Sequence, residues 1–316
     1  MKIRMSIAAL ALTGTLTTPF LFAQSGLPGT VAGGVEVQMI LTAADHVSHN
    51  PPALKAADVS IMSGTITSFT PLQNAQSGLE LYVVMDDVAN YNFSSKLAEL
   101  RKFIAARPAQ VAVGVAYIHE GALQIVQTPT TDRAKATHAL RAPVGSKSAN
   151  PYCAVSDLIR QWPAAASEYA RREIILVSTG IDDSINEGAL CINAETAIHD
   201  AQRAGVVIYA LYNPVADYLS QKWSKVDSGV VNLAHVCYET GGEAYFLTHN
   251  PVESIEPFLS DISEHLAHQY RVTLRMPAGL EGLRPIYIDP ASADYPRLEL
   301  MVPESVWVAA PASSGP

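Results

Sequence analysis

An α/β protein, built on a doubly wound and mostly parallel sheet with a small β module at each end, is what this sequence predicts. Three observations carry the expectation. Four short apolar runs, Leu79–Met85, Val111–Ile118, Glu173–Ser178 and Val206–Leu211, are apolar on both parities. Such runs read as strands covered on two faces. Segments of helical periodicity separate them, the alternation that accompanies parallel pairing through crossover helices. Outside residues 79–268 the period changes to two, as in Val35-Glu36-Val37-Gln38-Met39 and Tyr270-Arg271-Val272-Thr273-Leu274. That pattern marks half-buried strands.

The chain opens with Lys2 and Arg4, followed by an apolar segment from Ile7 to Phe22 that ends at Ala23. This is the layout of a secretory leader cleaved after Ala23. Gly14 and Pro19 interrupt the segment, and it is short for a membrane span. The expected division is therefore a leader (1–23), an N-terminal β module (24–78), the α/β domain (79–268), a β-hairpin appendage (269–303) and a tail (304–316). Strand-like pieces at 35–41, 58–62 and 65–69 fill the first module. His46 and His49 fall in a loop between them, and an HxxH spacing with no further ligand reads as a pair of solvated histidines.

Within the α/β domain, Leu97, Leu100, Phe103 and Ile104 recur at helical spacing after the first strand. The second strand turns at Glu120-Gly121 into an antiparallel partner, Ala122 to Gln127. Thr130-Thr131-Asp132 can cap a helix reaching about Arg141. A small polar loop, Gly145 to Asn150, precedes another helix from about Tyr152. Helices are expected at 193–203, stopped by Gly205, and at 230–238, stopped by Gly241-Gly242. A short strand at 244–247 leads to a helix at 252–268, on which Glu264, His265 and His268 read as a polar face. Alternation resumes at 285–288 and 298–302.

Hydrophobic residues make up 48% and charged residues 16% of the chain, a globular balance. The net charge is −9 and no basic run occurs, which excludes nucleic acid and anionic membrane surfaces as partners. Membrane contact is expected only through an uncleaved leader, and the protein is expected to be secreted or periplasmic. Three cysteines in an oxidising compartment imply one pair and one leftover thiol. Cys153 and Cys191 are placed in loops and are expected to pair. Cys237, inside an apolar helix, is expected to be a small buried hydrophobe.

The order of elements resembles a von Willebrand factor type A domain, and more narrowly the secreted bacterial VWFA-related type. The pieces that carry the resemblance are the strand into Asp86, Thr128-Pro129-Thr130-Thr131-Asp132-Arg133, Ile174–Gly180, Leu233-Ala234 through Gly242, and His268–Leu274. The resemblance implies a metal-ion-dependent adhesion site: Asp-x-Ser-x-Ser after the first strand, a middle-loop Thr, and an Asp after the strand Ile174–Ser178. Here the motif is Asp86-Asp87-Val88-Ala89-Asn90. Val88 offers no donor and Asn90 replaces the second Ser. Ser148 or Asn150 is the nearest candidate for the middle-loop donor, and Thr179 stands where the later Asp belongs. The resemblance thus leaves Asp86, Asn90, Thr179 and Asp182 as a degenerate set, able to hold Mg²⁺ or Ca²⁺ only weakly because donors are missing from a shell that needs six oxygens.

The function expected from this reading is an exported, non-enzymatic protein-binding module that uses the loops at the carboxyl ends of its parallel strands, with an unidentified protein partner and no cofactor. The alternatives are a structural or assembly role, or a hydrolase using Asp86 and Asp87. The motifs of serine hydrolases, zincins, P-loop proteins and dinucleotide-binding domains are absent.

Overall fold

The computed structural model describes residues 34–72, 78–88, 91–162, 171–182, 194–213, 223–246, 254–291 and 295–310. The chain begins with β1 (Val35–Ala44), β2 (Val59–Ile61) and β3 (Thr65–Pro71). The α/β part runs β4 (Leu79–Asp86), α1 (Leu97–Ala105), β5 (Ala112–His119), β6 (Ala122–Thr130), α2 (Arg133–His138), α3 (Pro151–Gln161) and β7 (Arg171–Ser178). It continues with α4 (Ala194–Ala204), β8 (Val206–Tyr212), α5 (Trp223–Glu239), β9 (Ala244–Phe246) and α6 (Glu256–Ala267). Last come β10 (Gln269–Met276), β11 (Gly282–Pro285), β12 (Ile288–Pro290), β13 (Glu299–Met301) and β14 (Ser305–Val308).

The expected doubly wound sheet is present: six strands in the order β6-β5-β4-β7-β8-β9. Pairing is parallel from β5 through β9, and β6 folds back antiparallel on β5. Each central strand distributes its side chains to two cores, which is why its sequence is apolar on both parities. On β4, Leu79, Leu81, Val83 and Met85 enter one core with Leu97, Leu100, Phe103 and Ile104 of α1 and Leu259, Ile262 and Leu266 of α6. Tyr82 and Val84 enter the other, with residues of α3, α4 and α5. Gly114 of β5 gives the Tyr82 ring its place, since a Cβ there would lie 2.4 Å from a ring carbon. The ring then meets Trp162 edge-on at 4.7 Å, and the indole nitrogen donates to Glu80 Oε2 at 2.7 Å.

The N-cap residue of helix α6, Ile255, has no side chain able to cap it, and the Ser254 hydroxyl accepts from the Glu256 nitrogen at 3.1 Å. Glu99 of α1 supplies a cap from outside, its Oε2 accepting from the backbone nitrogens of Ile255 (2.6 Å) and Glu256 (3.0 Å) and from the Ser254 hydroxyl (2.9 Å). A carboxylate there satisfies orphan amides at the positive end of the helix dipole.

The small β elements of the two chain ends pair with each other. β1 lies antiparallel between β10 and β13, and β3 pairs on the far side of β10, so one sheet has the order β13-β1-β10-β3. β12 pairs with β2. Ser305–Val308, read from sequence as tail, forms β14 against β11. Trp307 there lies under the Arg203 guanidinium of α4, 4.1 Å from ring centroid to Cζ. A third core, including Val37, Met39, Leu41, Val272, Leu274 and Val306, fills this module. No helix among the described residues is long and apolar enough to cross a membrane. Residues 1–23, expected as the leader, lie outside the described residues.

Candidate functional site

In the observed strand order, β4 has β5 on one side and β7 on the other, so the chain winds away from β4 in both directions. Open α/β sheets bind ligands outside the carboxyl ends of the strands at such a reversal. Asp86 closes β4 at this edge, and Asp87 follows it. Both are fully buried.

The two acids have separate duties. Asp86 accepts from the Ser178 hydroxyl at 2.9 Å and from the Val88 backbone nitrogen at 3.1 Å, joining the end of β4 to the end of β7. Ser178 in turn accepts from the Gly180 nitrogen at 3.0 Å. Gly180 has φ +68°, and a Cβ there would lie 2.2 Å from the Gly229 carbonyl oxygen, so only glycine allows α5 to come this close. The Tyr152 hydroxyl of α3 donates to the Gly180 carbonyl at 2.8 Å. Burial, with Cys237, Asp182 and Asp86 nearby, holds that phenol well above its ordinary pKa, so it acts as a donor.

Asp87 faces the other way, toward β5 and the chain after α2. Arg141 grips it with both guanidinium ends, Nη1 to Oδ1 at 2.7 Å and Nη2 to Oδ2 at 2.8 Å. His119 Nδ1 lies 2.9 Å from Oδ2, and the Val144 nitrogen donates to Oδ1 at 3.3 Å. The Arg141 guanidinium also lies over the Tyr117 ring, 3.7 Å from its centroid. The Asp87 hydrogen bonds raise the Arg141 pKa further. Bidentate, charge-assisted pairing of this kind fixes geometry as well as charge.

The sequence-derived ligand positions are distributed as follows. Asp86 is at the reversal with both oxygens engaged. Thr179 is buried, its hydroxyl accepting from the Ile181 nitrogen at 3.2 Å. Asp182 is half-buried just beyond. Asn90 and Cys191 lie outside the described residues. Asn150 caps α3 by accepting from the Cys153 nitrogen at 3.4 Å, and Ser146 receives the Glu120 nitrogen at 2.9 Å, so this loop packs on the β5–β6 turn. Cys153, expected in a loop, sits in the first turn of α3 because Asn150 and Pro151 start the helix there. Cys237 is a free, fully buried thiol in α5.

Sequence reasoning missed Tyr117, His119 and Arg141. The one available signal was Arg141 itself, an isolated cation in Ala139-Leu140-Arg141-Ala142-Pro143-Val144, where an apolar setting calls for a buried counter-ion. The arrangement does not make a carboxylate nucleophile–acid pair: Asp87 is committed to Arg141, and the second residue after Asp86 is Val88.

No family model and no curated protein matches the chain. Solved structures that it resembles include an aerotolerance-related membrane protein from Bacteroides fragilis carrying multiple mutations to serines, 14% identical over 60% of this chain and 98% of that one, at a TM-score of 0.43. The vWF domain of the type V pili tip protein Mfa5 from Porphyromonas gingivalis is 9% identical over 59% of this chain and 93% of that one, at 0.40. The pilus adhesin SpaC from Lactobacillus rhamnosus GG, in its open conformation, is 10% identical over 83% of this chain and 48% of that one, at 0.46.

Proposed function

We propose that this chain is an exported, non-enzymatic protein-binding module whose contact surface is made by the loops after β4, around Val144–Asn150 and after β7, working without a full divalent-cation centre. One observation carries the reading. The acids at the reversal are buried and held by donors of this chain, while the side chain offered to solvent beside them, Val144, is apolar and 64% exposed. Asp86 and Asp87 then brace the loops, and the loops do the binding. Export is supported by the leader-like first 23 residues.

The test compares wild type with Val144→Asp as bait in an extracytoplasmic extract of the host. A partner recovered by wild type and lost in the variant, with both proteins melting alike, is the expected result. The same partner on both baits places the contact elsewhere. Added to protein already stripped with EDTA and dialysed, saturating Mg²⁺, Mn²⁺ or Ca²⁺ is expected to leave the melting temperature unchanged. A ligand at about 100 times its Kd would add ~2.7 kcal/mol, an easily read shift. Such a shift, abolished by Asp86→Ala, would restore a metal-dependent site.

A further inference from the structure

Two histidine patterns that read as unremarkable in sequence come together in the fold. The turn after β1 is organised by Asp45, whose carboxylate accepts from the nitrogens of Val47 and Ser48, both at 2.9 Å. This turn carries His46 to α6, where Asp261 and His265 stand one helical turn apart. Glu243, just before β9, completes the group. One donor atom from each of His46, Glu243, Asp261 and His265 can be chosen so that all lie within 4.8 Å of one another.

We propose that these four residues form a structural Zn²⁺ site. Two imidazoles and two carboxylates are a donor set that Zn²⁺ takes in tetrahedral geometry, and four protein ligands close the shell as structural sites do. Two carboxylates also neutralise the ion.

The burial and spacing of His265 within the group sharpen the assignment. Its side chain is only 4% exposed, yet Nε2 lies 3.9 Å from Glu243 Oε2 and 3.8 Å from Asp261 Oδ2. Those separations are too long for hydrogen bonds. They are close to the spacing of neighbouring ligands around a tetrahedral Zn²⁺, ~3.4 Å for bonds of ~2.0–2.1 Å.

The surroundings select the ligating nitrogen. The Tyr245 hydroxyl donates its proton to Asp261 Oδ2 at 2.7 Å and lies 3.4 Å from His265 Nδ1. With that proton committed, the Tyr245 oxygen accepts from Nδ1–H, which leaves the Nε2 lone pair facing the carboxylates. Orientation of a ligating histidine through its other nitrogen is the usual outer-shell device. Tyr209 lies against the same imidazole, with centroids 6.0 Å apart and planes at 25°.

The purified chain, stripped with EDTA and dialysed, is titrated with Zn²⁺ and separately with Mg²⁺ by calorimetry and thermal melting. One Zn²⁺ per chain and a raised melting temperature are expected, with no response to Mg²⁺. His265 is too buried for its removal to be informative alone, so the variants are His46→Ala and Glu243→Gln. Each is expected to weaken Zn²⁺ binding on the order of 100-fold while melting like wild type in EDTA. His49→Ala, which removes a neighbour of Asp261 outside the four-residue set, is expected to bind as wild type does. Absence of Zn²⁺ binding below ~100 μM overturns the site, as does full affinity in both variants or loss of binding in His49→Ala alone. Because the probe is Zn²⁺ and the variants are remote from Asp86, failure here is separable from failure of the loop-surface reading.

Discussion

Arg141→Leu is expected to lower unfolding free energy by about 2–4 kcal/mol, measured by urea denaturation at neutral pH. Removing one member of a buried ion pair typically costs 3–5 kcal/mol, because the other charge is left without compensation. The guanidinium is 36% exposed while Asp87 is fully buried, so solvent screening lowers the expectation by about 1 kcal/mol from that range. The His119 and Val144 contacts remain, but both address oxygens that Arg141 now neutralises. Asp87→Asn combined with Arg141→Leu should recover part of the loss, giving a coupling of ~1–3 kcal/mol in the double-mutant cycle. Additive losses would mean that the two side chains support the fold independently.

Stability should also fall as pH rises from about 4.5 to about 7, through Glu173. This carboxyl is fully buried on β7, and burial raises its pKa to about 7, with Arg171 opposing the shift. Arg171 lies 3.9 Å away and is itself held by the Leu266 carbonyl at 2.9 Å and by Gln269. An unfolded Glu has its ordinary pKa near 4.5. Between these values the native chain holds a proton that the unfolded chain has released. Linkage therefore makes stability decline with rising pH across that window, by up to about 3 kcal/mol. Below the unfolded pKa both states are protonated and the penalty vanishes. Glu173→Gln should flatten this slope and be at least as stable as wild type at pH 8. Equal slopes in both proteins would assign the dependence to other groups.

The central sheet was legible because its strands carry their own signal. In β4, β7 and β8 every residue or nearly every residue is buried, and a run such as Leu81-Tyr82-Val83-Val84-Met85 has no solvated parity. Pairing between the chain ends was not legible, since a period of two shows that a strand has a wet face without showing its neighbour. The start of α3 was legible to within a residue, about Tyr152 against Pro151; with Asn150 capping and Pro151 opening the helix, Cys153 falls in its first turn and not in a loop. The site divided in the same way. Asp86 announced itself at a strand end. Arg141 reaches Asp87 from 54 residues away, and His46 and His265 belong to different modules, so no local spacing could join them.

The pairing of β1 with β10 has a consequence for the order in which the molecule can be completed. Thr42 is matched with Gln269 and Val35 with Met276, so the first strand of the module is made long before its main partner. At ~5–20 residues per second, that interval is roughly 10–50 s of synthesis. Throughout it, a strand with apolar side chains on both faces, Ile40 on one and Met39 and Leu41 on the other, and two open hydrogen-bonding edges has no mate, while the intervening sheet can already close. Such edges invite pairing between chains. A chain ending before β10 would therefore be prone to aggregate, despite containing every strand of the central sheet.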